Sequence, residues 1–122
     1  MPGGRLRVGS DIELAGYRAR SHLHDGRVLA WTGSYDVPVA IDGEVERAVP
    51  AALGRRFGTH RFWERWTRAE CVAKLTGRGV VDLMNLMAAD DPGPDAGVRL
   101  TTARLPGGIV VSIGRLDGAL SF

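Results

Sequence analysis

Glu70 and Lys74 stand four residues apart in a stretch with helical spacing, so their side chains share one face of the helix. Taken alone, such a pair is a surface ion pair worth about a few tenths of a kcal/mol. Lys74 has a second peculiarity: it is the chain's one lysine, every other basic residue being arginine. In an arginine-biased composition, a retained lysine can mark a place where a compact ammonium is preferred to the planar guanidinium fork. Upstream, Asp42 and Glu44 flank Gly43 at the end of an apolar segment. Two carboxylates at i and i+2 where a strand ends can point to one side and offer hard oxygen ligands. Mg²⁺ uses such sites, taking one or two carboxylates and completing its shell with water and substrate phosphate. The plain alternative for an isolated D-x-E is a solvated turn.

The elements that must position these residues follow from local patterning. Arg5–Glu13 and Tyr17–Arg20 alternate loosely and suit a strand or an irregular hairpin arm. Val28–Thr32, after the turn signal Asp25-Gly26, reads as a strand, and Val37–Ile41 as its antiparallel partner across a turn at Ser34–Asp36. Pro38 places that second strand's start at an edge or a bulge. Pro50 interrupts Glu44–Phe57 and predicts a short helix from about Pro50 onward.

Phe62–Leu75 gives the clearest helix, with Trp63, Trp66, Glu70 and Lys74 on one stripe and Gly77 as its stop. Trp66 reads as a core anchor and Cys71 as a small buried hydrophobe. Asp90–Gly97 is a Pro/Gly/Asp loop, and Val98–Ala103 with Ile109–Ile113 forms a hairpin around Pro106-Gly107-Gly108. The expected fold class is α+β: an antiparallel β-sheet packed against one long helix.

Bulk properties narrow the function classes. A length of 122 residues fits one domain over 1–122 with one modest core. Apolar residues at 44 % and charged residues at 25 % match an ordinary soluble globular domain. No run of about eighteen apolar residues could span a membrane. The opening Met1-Pro2-Gly3-Gly4-Arg5 lacks the apolar core of a secretory signal, so a cytoplasmic location is expected. The single cysteine excludes an internal disulfide framework and a cysteine-rich zinc site. A formal charge of +2 does not call for nucleic acid, and the arginines at 55, 56, 61, 65 and 68 have acidic residues among them. His22 and His60 read as surface residues with no metal-ligand spacing.

Read together, the segments acquire a family likeness. Within Phe62–Val80, Trp66-Thr67-Arg68-Ala69-Glu70-Cys71-Val72-Ala73-Lys74, followed by Gly77-Arg78-Gly79, is similar to the W-T-x-K-E-x-x-x-K and G-x-G signature of phosphopantetheinyl transferases. That family has a D-x-E upstream, as Asp42-Gly43-Glu44 stands here, and before it an S-H-S-G segment that His24-Asp25-Gly26 resembles. Pro106–Ile113 looks like its closing strand. The resemblance implies a single lobe of the phosphopantetheinyl transferase fold. It also implies Mg²⁺-dependent transfer of the 4′-phosphopantetheine arm of coenzyme A to a serine of an acyl or peptidyl carrier protein.

On that likeness Asp42, Glu44 and Glu70 would be the metal ligands, and Glu70 and Lys74 the catalytic pair. His24, Arg68 and Lys74 would contact the phosphates of coenzyme A. The chain departs from the pattern at Ala69, where the family has lysine, at Leu23, where it has serine, and in the short interval from Glu44 to Glu70. With no second lobe, the likeness implies a homo-oligomer, dimer or trimer, that completes the coenzyme A cleft between subunits. A second D-x-E, Asp11-Ile12-Glu13 after Val8-Gly9-Ser10, also matches the family's spelling and competes for the metal strand; the order of the other segments favours Asp42 and Glu44. The departures leave a second functional reading: a catalytically degenerate relative acting as a binding or scaffold protein in natural-product biosynthesis.

Overall fold

The computed structural model describes residues 5–116; Met1–Gly4, on which the secretory-signal reading rests, and residues 117–122 lie outside that range. Strand β3 (Val28–Trp31) is the centre of a small antiparallel sheet, flanked by β1 (Leu6–Gly9) and β2 (Arg20–His22). All four β3 residues are buried because both faces are covered. Leu29 and Trp31 turn inward with Leu6, while Val28 and Ala30 lie under Leu14 and Tyr17 of the preceding loop.

A second antiparallel sheet has the order β4 (Val39–Val45), β6 (Ile109–Leu116), β5 (Val98–Leu105). Alternation along β6 sends Val110 to one core and Val111 and Ile113 to another. Helix α2 (Phe62–Thr76) and helix α3 (Val80–Met87) cover the first face, with α1 (Ala51–Phe57) at its margin; the small sheet covers the second. Gly114 lets α2 lie close to β6, since a Cβ there would stand 3.1 Å from both Cys71 Cβ and Leu75. Helix α2 ends where Gly77 adopts φ 66°, the left-handed stop expected of it. No helix among the described residues is long and apolar enough to cross a membrane.

The α+β class holds, but its composition differs from the expectation of one sheet and one long helix. Two three-stranded sheets and three α-helices are present among the described residues. The expected hairpin of Val28–Thr32 with Val37–Ile41 does not form. Both edges of β3 are already taken, by β1 and β2, so β4 pairs with β6 instead. The connector between them is turned by Tyr35, whose hydroxyl donates to Trp31 O at 2.8 Å and accepts from Ala19 N at 3.2 Å. The hairpin at Pro106-Gly107-Gly108 forms as read, with Gly107 and Gly108 at φ 87° and 75°. Helix α1 begins directly after Pro50. Cys71 is fully buried, His22 and His60 are exposed, and Trp66 is half-buried against Phe62, ring centroids 5.7 Å apart.

Candidate active site

Strand β4 is an edge strand, and its alternation separates the D-G-E triplet. Gly43 faces the small sheet, where a Cβ would meet Leu29 Cδ2 at 2.7 Å and Leu23 Cδ2 at 3.1 Å. The two sheets therefore pack too closely at this point for any side chain larger than glycine's hydrogen. Leu23, which departs from the serine of the resemblance, is the buried side chain that fills this space. Asp42 and Glu44 face the opposite way, toward α2.

Helix α2 brings Glu70 and Lys74 to the same place from the other side. Lys74 Nζ donates to Ile41 O at 2.8 Å and to Asp42 Oδ1 at 3.3 Å, joining residues 32 positions apart. Ser21 of β2 approaches the edge of β4: its Oγ accepts from Gly43 N at 3.0 Å and lies 3.4 Å from Asp42 Oδ1. Asp42 is 8 % exposed, and its second oxygen, Oδ2, is buried with no hydrogen-bond partner among the described residues. Glu44 Oε1 accepts from Arg47 Nη1 at 3.0 Å, and the Arg47 guanidinium stacks over Trp63 at 4.2 Å from the ring centroid.

The electrostatics follow from this geometry. Burial pushes the Asp42 carboxyl up to about 7, opposed by Lys74 and reinforced by the negative charges of Glu70 and Glu44. Burial also raises Glu70, with Lys74 opposing and Glu44 adding to the rise. The three acids have two cations beside them, Lys74 on Asp42 and Arg47 on Glu44, and the Asp42 oxygen without a hydrogen bond would be relieved by a proton or by a hard cation.

Among the described residues no three His, Cys, Asp or Glu side chains stand close enough to share one ion. At most two of the acids could therefore serve one ion at a time, the number of carboxylates that Mg²⁺ takes when water and phosphate complete its shell. Asp42, with its free Oδ2, is the first of these, and Glu44 or Glu70 the second. Glu70, half-exposed and with its carboxyl raised above the ordinary range mainly by burial, is a better proton acceptor than an ordinary glutamate.

The remaining sequence candidates are not gathered here. His24 is exposed in the turn between β2 and β3, with no hydrogen bond or ion pair among the described residues. Arg68 leaves α2 in another direction, its guanidinium bound to Thr102 Oγ1 at 3.1 Å and Asp91 Oδ1 at 3.3 Å. Neighbouring Thr67 shares a buried hydroxyl chain with Ser112 at 2.7 Å, and Ser112 with Thr102 at 2.9 Å. Arg68 thus ends a structural network under α2, and the phosphate role assigned to it finds no support in its position.

Asp11 pairs with Arg20 at 2.8 Å, while Glu13 and Ser10 cap one another's backbone amides, so the second D-x-E forms an exposed turn after β1. Ser21 and Arg47 were not singled out in the sequence. Ser21 had only the faint mark of a small polar residue within a three-residue strand, and Arg47 was one arginine among many. No protein-family model, curated protein or solved structure matches the chain.

Proposed function

We propose that this chain transfers the 4′-phosphopantetheine arm of coenzyme A to a serine of an acyl or peptidyl carrier protein, with Mg²⁺. The fold proposed with it is a single lobe of the phosphopantetheinyl transferase type, self-associating as a dimer or trimer to complete the coenzyme A cleft. One observation carries the reading: Lys74 reaches across from α2 to Asp42 on β4, next to Glu70 and Glu44. The signature helix and the D-x-E, read separately from sequence, meet at one site.

In this reading Asp42, with Glu44 or Glu70, would hold Mg²⁺, which when bound neutralises charge on the pyrophosphate of coenzyme A. Glu70 takes the proton of the attacking serine. The serine Oγ–phosphorus bond forms as the phosphorus–oxygen bond to adenosine 3′,5′-bisphosphate breaks. Lys74 stabilises negative charge on the leaving oxygen, the kind of electrostatic contribution on which phosphoryl-type transfer mainly depends.

Incubation with coenzyme A, Mg²⁺ and a set of apo carrier proteins tests this by mass spectrometry. A carrier gains one phosphopantetheine arm, and Glu70→Ala or Lys74→Ala lowers the rate by about a hundredfold or more. No gain on any carrier by folded protein would sink the proposal.

A second reading, a relative that binds without transferring, is favoured by one observation. Ala69, where the resemblance has a lysine, is fully buried beside Val72, Ala73 and Val110, so no cation can reach the site from that position. Calorimetry separates the two: the transferase binds coenzyme A more tightly with Mg²⁺ and loses that gain in Glu70→Ala, whereas the binder shows no such dependence.

A further inference from the structure

We infer that Ser21 is a positioning residue that sets the rotation of the Asp42 carboxylate and leaves Oδ2 as the oxygen offered to a cation. The inference rests on the functional reading above. Its basis is how the open edge of β4 is closed. In an antiparallel ladder alternate residues aim their backbone groups away from the partner strand. On β4 two such groups, Ile41 C=O and Gly43 N–H, are bonded on the side away from β6, by Lys74 Nζ and Ser21 Oγ.

Ser21 is itself buried, and it comes from the other sheet. A hydroxyl has one proton and two lone pairs. Accepting from Gly43 N at 3.0 Å turns the Ser21 O–H toward Asp42 Oδ1, 3.4 Å away. Lys74 Nζ donates to the same Oδ1 at 3.3 Å. Both donors thus converge on one oxygen, and Oδ2 is left buried without a partner. Ser21 has no role in the transfer chemistry derived above; it acts through Asp42, as residues behind a metal ligand commonly do.

Mn²⁺ is a usable probe for a Mg²⁺ site, and its free concentration is read by electron paramagnetic resonance. The measurement compares wild type, Ser21→Ala, Ser21→Cys, Ser21→Thr and Asp42→Asn in the presence of coenzyme A, alongside hydrogen exchange at the Gly43 amide. Ser21→Cys keeps the size of the side chain and loses the strong hydroxyl, so it reports even where alanine or threonine disturbs the fold.

The expected result is Mn²⁺ affinity about tenfold weaker in Ser21→Ala and Ser21→Cys, near wild type in Ser21→Thr, and abolished in Asp42→Asn. Faster Gly43 exchange in Ser21→Ala and Ser21→Cys with unchanged Mn²⁺ affinity makes Ser21 a tie between sheets only and overturns the inference while the functional reading stands. Wild-type protein that binds no Mn²⁺, or Asp42→Asn that binds it as wild type does, overturns the functional reading, and the inference falls with it.

Discussion

The two oxygens of Asp42 are in unequal surroundings, one held by Lys74 and Ser21 and one buried alone, and this has a consequence for stability. The carboxyl, pushed up to about 7 mainly by burial, binds its proton more tightly in the folded chain than an unfolded aspartate with a pKa of about 3.9 does. The native state therefore holds more protons between these values, and stability from this group falls as pH rises through that window. It is fully present below about pH 4 and lost above about pH 7. Asp42→Asn removes the titration. Its unfolding free energy relative to wild type should rise between pH 4 and pH 8 by roughly a few kcal/mol, at about 1.4 kcal/mol per pH unit of that window, the pull of Lys74 being already contained in the raised carboxyl. A relative unfolding free energy that is flat or falls over that range would show that the carboxyl is ionised throughout. The same imbalance predicts that Mg²⁺ with coenzyme A stabilises wild type at pH 8, by thermal shift, and does not stabilise Asp42→Asn.

At the scale of elements, Arg65 fixes the joint between α1 and α2. Its guanidinium donates to Phe57 O at 2.9 Å, Gly58 O at 3.0 Å and His60 O at 3.0 Å, satisfying carbonyls where α1 ends. Arg65→Ala should lower unfolding free energy in denaturant by about 1–2 kcal/mol, a partly solvated share of three charge-assisted bonds. Arg65→Lys should recover little of it, since one ammonium cannot span three carbonyls; full recovery by lysine would mean that charge alone matters. Arg65 also shows where sequence reading reached its limit. Helix α2 was legible because the Trp63, Trp66, Glu70, Lys74 spacing and the Gly77 stop are local, and the β5–β6 hairpin because Pro106-Gly107-Gly108 sets its turn. The pairing of β3 with β4 was misread because strand patterning does not reveal which edges other strands have taken. Helix α3 escaped notice, since the apolar run Val80-Val81, Leu83-Met84, Leu86-Met87 suits strand and helix alike. Within the site, each acidic or basic pair was visible by its spacing, but that Lys74 meets Asp42, and that Ser21 stands behind it, depends on how two sheets and a helix close together.

At the scale of the molecule, the site depends on both cores at once. Asp42 is reached by Lys74 from the helical side and by Ser21 from the small sheet. Strand β6, hydrogen-bonded along the whole of β4, contributes Val110 to the helical core and Val111 to the inter-sheet core, and both are fully buried. A strand shared in this way cannot lose one core without exposing the back of the other, so the two should unfold together. Val110→Ala and Val111→Ala each delete two buried methyl groups and should each cost about 1.5–3 kcal/mol, the transfer term plus a cavity term. Trp31 reports the inter-sheet core and Trp63 the helical one. In variants that retain one or other of these as the sole tryptophan, fluorescence should trace the same denaturation curve as far-UV circular dichroism. Val110→Ala should then shift the Trp31 transition as far as the Trp63 transition, and Val111→Ala should do likewise. Were each substitution to move only the tryptophan on its own side, the two cores would be independent units. Asp42 would then be held across a boundary free to open, and the geometry joining Lys74, Asp42 and Ser21 would not persist as one site.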